Sequence, residues 1–168
     1  GTGTGLSLAL TAPLVGIAKS ALTMAGDYEQ SMNMLQFSSQ ASVAEMGLLS
    51  DQALQLGADT VFSANEVAAA QLEMAKAGMD VGDVLGAMPG IVALAAAANM
   101  DLAESGGLVS NTLNMWGMDV TESTRVADMF AAAANATTAD VDDFSMAIGQ
   151  SGAVLAGFGV PLDDTLTM

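Results

Sequence analysis

The chain has 168 residues, of which 19 are Asp or Glu and three are Lys or Arg; its formal charge is −16, and it holds no His and no Cys. With 52% apolar residues, only 13% charged and a mean hydropathy of +0.47, it is too apolar to be disordered over most of its length, and a field of that sign disfavours nucleic-acid backbones. The usual zinc, haem, iron–sulfur, thiol and Ser–His chemistries lose their ligands, so the composition points to an acidic, Ala- and Met-rich helical protein with no cofactor.

Residues 1–9, opening on Gly1-Thr2-Gly3-Thr4-Gly5, read as a flexible lead-in. No strand precedes those glycines and no Lys follows at phosphate-loop spacing. The first 18 residues are uncharged, but they follow no basic segment and end in no cleavage pattern, so they do not read as a signal peptide. Residues 10–62 form an N-terminal helical region. One helix is predicted from Pro13 to Phe37 through Ile17, Ala21, Met24, Tyr28, Met32 and Leu35, and a second from Val43 to Leu56 through Met46, Leu49 and Ala53. Gly57 to Phe62 is read as the link from these helices to a repeat region.

From residue 63 to 168 the helices recur in pairs. Ser63-Ala64-Asn65-Glu66 is a capping box, and Val67, Ala70, Met74 and Ala77 form the apolar stripe of a helix that Gly78 ends. The next helix spans Val81–Ala98 with Val84, Met88, Ile91, Val92 and Ala95 on one face, and Pro89 inside it predicts a kink or break. Asp101 caps a third helix carrying Leu102, Val109, Leu113 and Trp116. Thr121 opens a fourth with Val126, Met129, Phe130 and Ala133. Asp140 opens a fifth with Val141, Phe144, Ile148 and Leu155.

Gly78-Met79-Asp80-Val81 recurs as Gly117-Met118-Asp119-Val120 and loosely as Gly157-Phe158-Gly159-Val160, at spacings of 39 and 40. The fold expected is therefore all-α, an array of antiparallel helix pairs in two-helix units of about 40 residues, preceded by a longer N-terminal helix. The sequence begins at Gly1 rather than Met and stops just past the helix-opening Pro161-Leu162-Asp163-Asp164, which suggests a fragment of a longer chain.

Residues with chemistry are few. Asp142-Asp143 and Asp163-Asp164 fall in predicted first turns, where carboxylates complement the helix dipole rather than form a metal or acid–base site. Asn135-Ala136-Thr137 matches a glycosylation triplet without a secretory signal to give it meaning. Residues 84–100 and 144–162 are uncharged, yet Pro89, four glycines in the second run and the lack of flanking cations suit buried helices better than membrane spans. Gly149, Ala153 and Gly157 make a small-residue ridge that lets two backbones approach. Met24, Met32 and Met34, beside Leu35 and Phe37, give the first helix more apolar surface than one neighbour covers. A self-association or partner surface is accordingly assigned to Met24, Tyr28, Met32 and Leu35 and to Gly149, Ala153 and Gly157.

Several segments occur together: Leu10-Thr11-Ala12-Pro13-Leu14, Asp27-Tyr28-Glu29-Gln30-Ser31-Met32, Leu54-Gln55-Leu56-Gly57-Ala58, Thr60-Val61-Phe62-Ser63-Ala64-Asn65-Glu66 and Met74-Ala75-Lys76-Ala77-Gly78. Met88-Pro89-Gly90 with Leu94-Ala95-Ala96-Ala97, Trp116-Gly117, and Arg125-Val126-Ala127-Asp128 with Ala133-Ala134-Asn135 come after them. In this order, from about Leu10 to the end, the chain resembles the core region of the phage tail tape measure protein family. Tyr28 and Trp116 stand where that family more usually has Phe.

The resemblance implies a structural, non-enzymatic virion protein of a long-tailed phage, located in the tail tube lumen or tip. It would set tail length, support tube assembly and leave ahead of the genome. Implied partners are the tail tube protein, tail tip or baseplate proteins and tail assembly chaperones, with a homo-oligomer, a trimer, as the expected state. No specific nucleic-acid binding is expected; transient contact with the host membrane is. A ruler should be one long helix, whereas this segment breaks at Gly78, Asn99, Gly117, Asn135 and Gly157, so it reads as a folded docking or assembly module. Two other readings suit the same residues: a helical-repeat adaptor for protein interaction, and a membrane-inserting pore segment.

Overall fold

A computed structural model describes residues 25–136 and 145–167. Ile17, Ala21, Met24, Asp140, Val141, Phe144 and the pair Asp142-Asp143 lie outside the described residues, as do the lead-in and Leu10 to Leu14. The fold is all-α, and no strand occurs among the described residues. In chain order the helices are α1 (25–39), α2 (Val43–Asp59), α3 (Ala64–Lys76), α4 (Val81–Ala98), α5 (Leu102–Trp116) and α6 (Ser123–Ala136), the last preceded by a 3-10 turn at Val120–Glu122. Then come α7 (145–147), a π-helical turn at Ile148–Gly152, α8 (Ala153–Gly157) and α9 (Leu162–Thr167).

Helix starts follow from short polar side chains. The Ser63 hydroxyl accepts from the Glu66 N–H at 3.3 Å while the Ser63 N–H donates to the Glu66 carboxylate at 2.7 Å, and Ser42 with Glu45 repeats the arrangement at the head of α2. Asp80 and Asp101 cap α4 and α5. Thr121 is not the opening residue that its sequence suggests. Asp119 accepts from the Thr121 N–H and hydroxyl at 2.9 and 2.6 Å, and this starts the 3-10 turn ahead of α6.

Helix ends explain the repeated tetrapeptide. Gly78 (φ +95°) and Gly117 (φ +60°) take left-handed conformations, and the Met after each closes the helix: Met79 N–H donates to the Met74 carbonyl and Met118 N–H to Leu113. The following Asp then caps the next helical turn. Gly-Met-Asp-Val is therefore one connector, made of a left-handed stop, an apolar plug and a cap. In the third copy the stop moves two residues along. Gly159 (φ +75°) is left-handed, Val160 N–H closes onto Leu155, and Gly157 stays helical, contrary to the sequence reading.

The packing links helices two apart in the chain as well as neighbours. α3 packs most extensively on α5, and α4 on α6, while α2 lies against α3 and touches α4. α9 lies on α6, and α8 with the π turn lies on α5. This pattern fits stacked helix pairs. Small residues set the spacing: a β-carbon on Gly106 would stand 3.3 Å from the Ala70 carbonyl oxygen, and one on Gly90 would stand 3.1 Å from the Thr124 Cα. Phe130, Met74, Met88, Ile91 and Leu94 are fully buried in the core between these helices. The buried hydroxyls of Ser110 and Thr112 on α5 bond back to the carbonyls one turn earlier, at 2.7 Å each, so they cost the core little.

Two helices depart from the sequence reading. α2 continues past Leu56 to Asp59 because Gly57 is a contact point and not a stop; a β-carbon there would come within 2.5 Å of the Ala64 backbone nitrogen. α4 runs unbroken through Pro89. Proline has no N–H for the carbonyl four residues back, that of Leu85. The Gln52 side-chain amide of α2 donates to that oxygen at 2.8 Å instead, and the Gln71 amide of α3 donates to Gln52 at 3.1 Å and to the Leu49 carbonyl at 3.1 Å.

Candidate interaction surfaces

On α1, the face that sequence reading assigned to a partner turns inward. Leu35 is fully buried, so it belongs to the core and is withdrawn from the surface set. Tyr28 and Met32 are half-buried, and the Tyr28 hydroxyl sits 3.0 Å from the Ser50 hydroxyl of α2. Ser31 donates to Asn65 at 3.1 Å, tying α1 to the start of α3. The exposed apolar groups lie on the opposite side of α1: Met34 at 48% and Phe37 at 89%. They border a shallow groove of about 510 Å³ that Asn33, Leu72 and Lys76 also line. Val43, Leu48 and Leu54 of α2 and Val61 in the following turn are exposed as well.

The other end of the array carries the small-residue ridge. Gly149, Ala153 and Gly157 are exposed, and a β-carbon on either glycine would meet no atom within 4 Å. Met146, Val154 and Phe158 stand beside them, also exposed. The crowded glycine at this end is Gly152, where a β-carbon would lie 3.0 Å from the Met115 sulfur and 3.2 Å from the Trp116 ring. The Trp116 indole N–H donates to the Val160 carbonyl at 2.9 Å and fastens this end to α5. A groove of about 360 Å³ runs between, lined by Glu73, Ala103, Gly107, Asn111, Ile148 and Gly149 among others.

Charge is spread rather than gathered. Lys76 pairs with Glu73 at 2.7 Å, and Arg125 bridges Glu122 at 2.9 Å and Asp163 at 2.8 Å, all at exposed positions. The hydrogen bond from Arg125 holds the Asp163 carboxyl below the usual carboxylate range, and the same contact raises Arg125. Asp163 thus joins α9 to α6 in addition to lying in a first helical turn. Among the described residues no group of three or more His, Cys, Asp or Glu is placed to hold a metal ion.

Among the described residues one helix, α4, is long and apolar enough to cross a membrane by length and composition. Its large side chains Val84, Met88, Ile91 and Leu94 are buried, and its outer face is Gly86, Pro89, Ala93, Ala96 and Ala97. Its hydropathy serves the core of this fold. These surfaces offer contact area and shape.

Residues 50–168 match the family described as phage-related minor tail protein. The chain is 34% identical over 165 residues to the tape measure protein of Pneumococcus phage Dp-1, covering 98% of this chain and 14% of that protein. It is 32% identical over 125 residues to the probable tape measure protein of Escherichia phage P2, covering 74% of this chain and 15% of that protein. The chain thus spans about one seventh of the length of these relatives. No solved structure matches it.

Proposed function

As a chain that belongs to the phage tail tape measure protein family, this segment is a component of the phage tail within the virion, and we propose that it is a folded docking and assembly module, not a stretch of measuring rod. The observation that supports this is the folding back of the chain. Its longest bounded helix, α4, has 18 residues and turns at Asn99 in a left-handed conformation. At about 1.5 Å per residue that helix reaches only about 27 Å, whereas 168 residues as one helix would reach about 250 Å. A folded-back helical array converts chain length into surface, and a ruler needs the reverse.

In this reading the exposed apolar residues at the two ends of the array, Phe37 and Val43 at one and Phe158 and Val154 at the other, meet other tail components or further copies of the chain. The tail tube, the tip or baseplate and the assembly chaperones are the partners, with a homo-oligomer, a trimer, as the working state. The role is structural, in tail length determination, tube assembly and genome ejection.

Deleting the segment from the phage tests the proposal. The expected result is loss of tail assembly or of infectivity. Infectious particles whose tails are shorter by about 250 Å would instead make it part of the rod. Mass measurement of the isolated chain in solution checks the copy number, and a monomer at every concentration would remove the trimer.

A further inference from the structure

Pro89 leaves α4 one backbone hydrogen bond short, and the missing donor comes from another helix. We propose that α2 is a releasable clasp on a proline hinge in α4: while α2 is docked, Gln52 supplies the donor that the Leu85 carbonyl lacks and holds the helix together across Leu85–Pro89, and when α2 detaches the hinge opens. This does not rest on the tail reading and stands on geometry alone.

Three observations carry it. First, the Gln52 amide is held in place from its other end. Gln71, fully buried on α3, donates to the Gln52 carbonyl oxygen and to the Leu49 carbonyl, so its amide is spent on α2, and its own oxygen has no partner. Losing α2 therefore strips the Leu85 carbonyl and the Gln71 amide together. The fully buried Gln71 amide and the part-buried Leu85 carbonyl thus share one partner residue, which couples docking of α2 to the state of α4.

Second, the two halves of α4 are anchored to different neighbours. Leu85, before the proline, is tied to α2, while Gly90, after it, sits against the Thr124 backbone of α6. A hinge between them has a fixed leaf and a releasable leaf. Third, α2 buries fewer positions than α3 or α4. Leu49 and Ala53 are its fully buried residues, Met46 and Leu56 are half-buried against the core, and Val43, Leu48 and Leu54 face outward. A helix with fewer buried positions opens locally at lower cost than the core.

Amide hydrogen exchange on the 168-residue chain tests the clasp. Gln52→Met keeps the length of the side chain and removes the donor. It should speed exchange in α2 and at residues 86–94 by on the order of tenfold, with α5 unchanged. Pro89→Ala gives α4 back its own N–H for the Leu85 carbonyl. Added to Gln52→Met, it should return residues 86–94 to their original protection while α2 stays fast. If Gln52→Met leaves α4 unaffected, the proposal is overturned. If Pro89→Ala fails to reverse the change in α4, through either exchange or loss of fold, Gln52 is ordinary packing and the hinge does not exist.

Discussion

α2 and α3 begin with the same device, Ser42 with Glu45 and Ser63 with Glu66, yet they end up in different mechanical situations. α2 buries Leu49 and Ala53; α3, although four residues shorter, buries seven positions from Val67 to Ala75, and α4 buries nine. What α1 and α2 lack in apolar contact is made up by polar cross-links: Tyr28 to Ser50, Ser31 to Asn65, Gln71 to Gln52 and Gln52 to Leu85. Equal helix-starting signals thus lead to unequal docking. The lesson is that stability in this array is graded, with α3 to α6 as the resistant part and α1 with α2 as the part that opens first.

The largest test of that grading uses cavities. Phe130→Ala on α6 removes the largest fully buried side chain among the described residues and should cost about 3–5 kcal/mol, read as a loss of the whole array in one denaturant transition. Leu49→Ala on α2 removes a fully buried core side chain and should cost about 2–5 kcal/mol. Its signature should be a separate early transition or proteolysis within residues 25–59 while α3 to α6 stay folded. A single shared transition for both variants would break the comparison and make the chain one cooperative unit.

Caps give a smaller contrast. Ser63→Ala should cost about 1 kcal/mol and lower the main thermal transition, because α3 lies inside the resistant part. Ser42→Ala removes an equivalent pair of bonds, and its loss should show as fraying of α2 alone in hydrogen exchange. Gly47, in the interior of α2 with open space where a β-carbon would go, offers the opposite sign. Gly47→Ala should stabilise α2 by about 0.5–1 kcal/mol and raise protection there without moving the core transition.

The parts of this fold legible in the sequence are those decided within a few residues. Ser63-x-x-Glu66, Asp80, Asp101, Gly78 and Gly117 act through bonds to their own neighbours, so residue type and spacing are enough to place them. The all-α class and the connector repeat follow from them. What the sequence conceals depends on distant partners. Pro89 predicts a kink or break, and the donor that meets the Leu85 carbonyl comes from Gln52, 33 residues earlier in the chain, which local sequence cannot announce. Gly57 looks like a stop until α3 comes to rest against it. Leu35 and Phe37 are equally apolar in sequence, and only the docking of α1 decides that the first is core and the second is exposed. Exposure is what remains after every other helix is in place, which is why Leu35 left the surface set while Gly149, Ala153 and Gly157 stay exposed.

Acid offers the finest discrimination between the two regions. The Ser42 hydroxyl, and then the Ser42 N–H, hydrogen-bond the Glu45 carboxylate and hold it below its ordinary range. A carboxyl whose pKa is lower in the folded chain than in the unfolded one contributes stability above the unfolded value, about 4.3. That contribution fades as pH falls through the lower folded value. Acidification also neutralises carboxylates throughout a chain of charge −16, which relieves repulsion and favours the compact state everywhere. The two effects therefore separate by location: below about pH 4 residues 43–59 should lose exchange protection while the interior of α4 and α5 holds or gains it. Glu45→Gln, which cannot titrate, should remove the pH dependence in α2 and leave the rest of the profile in place. An acid response uniform along the chain would mean that global charge governs it, and the cap at α2 would then carry no part of the difference between the two regions.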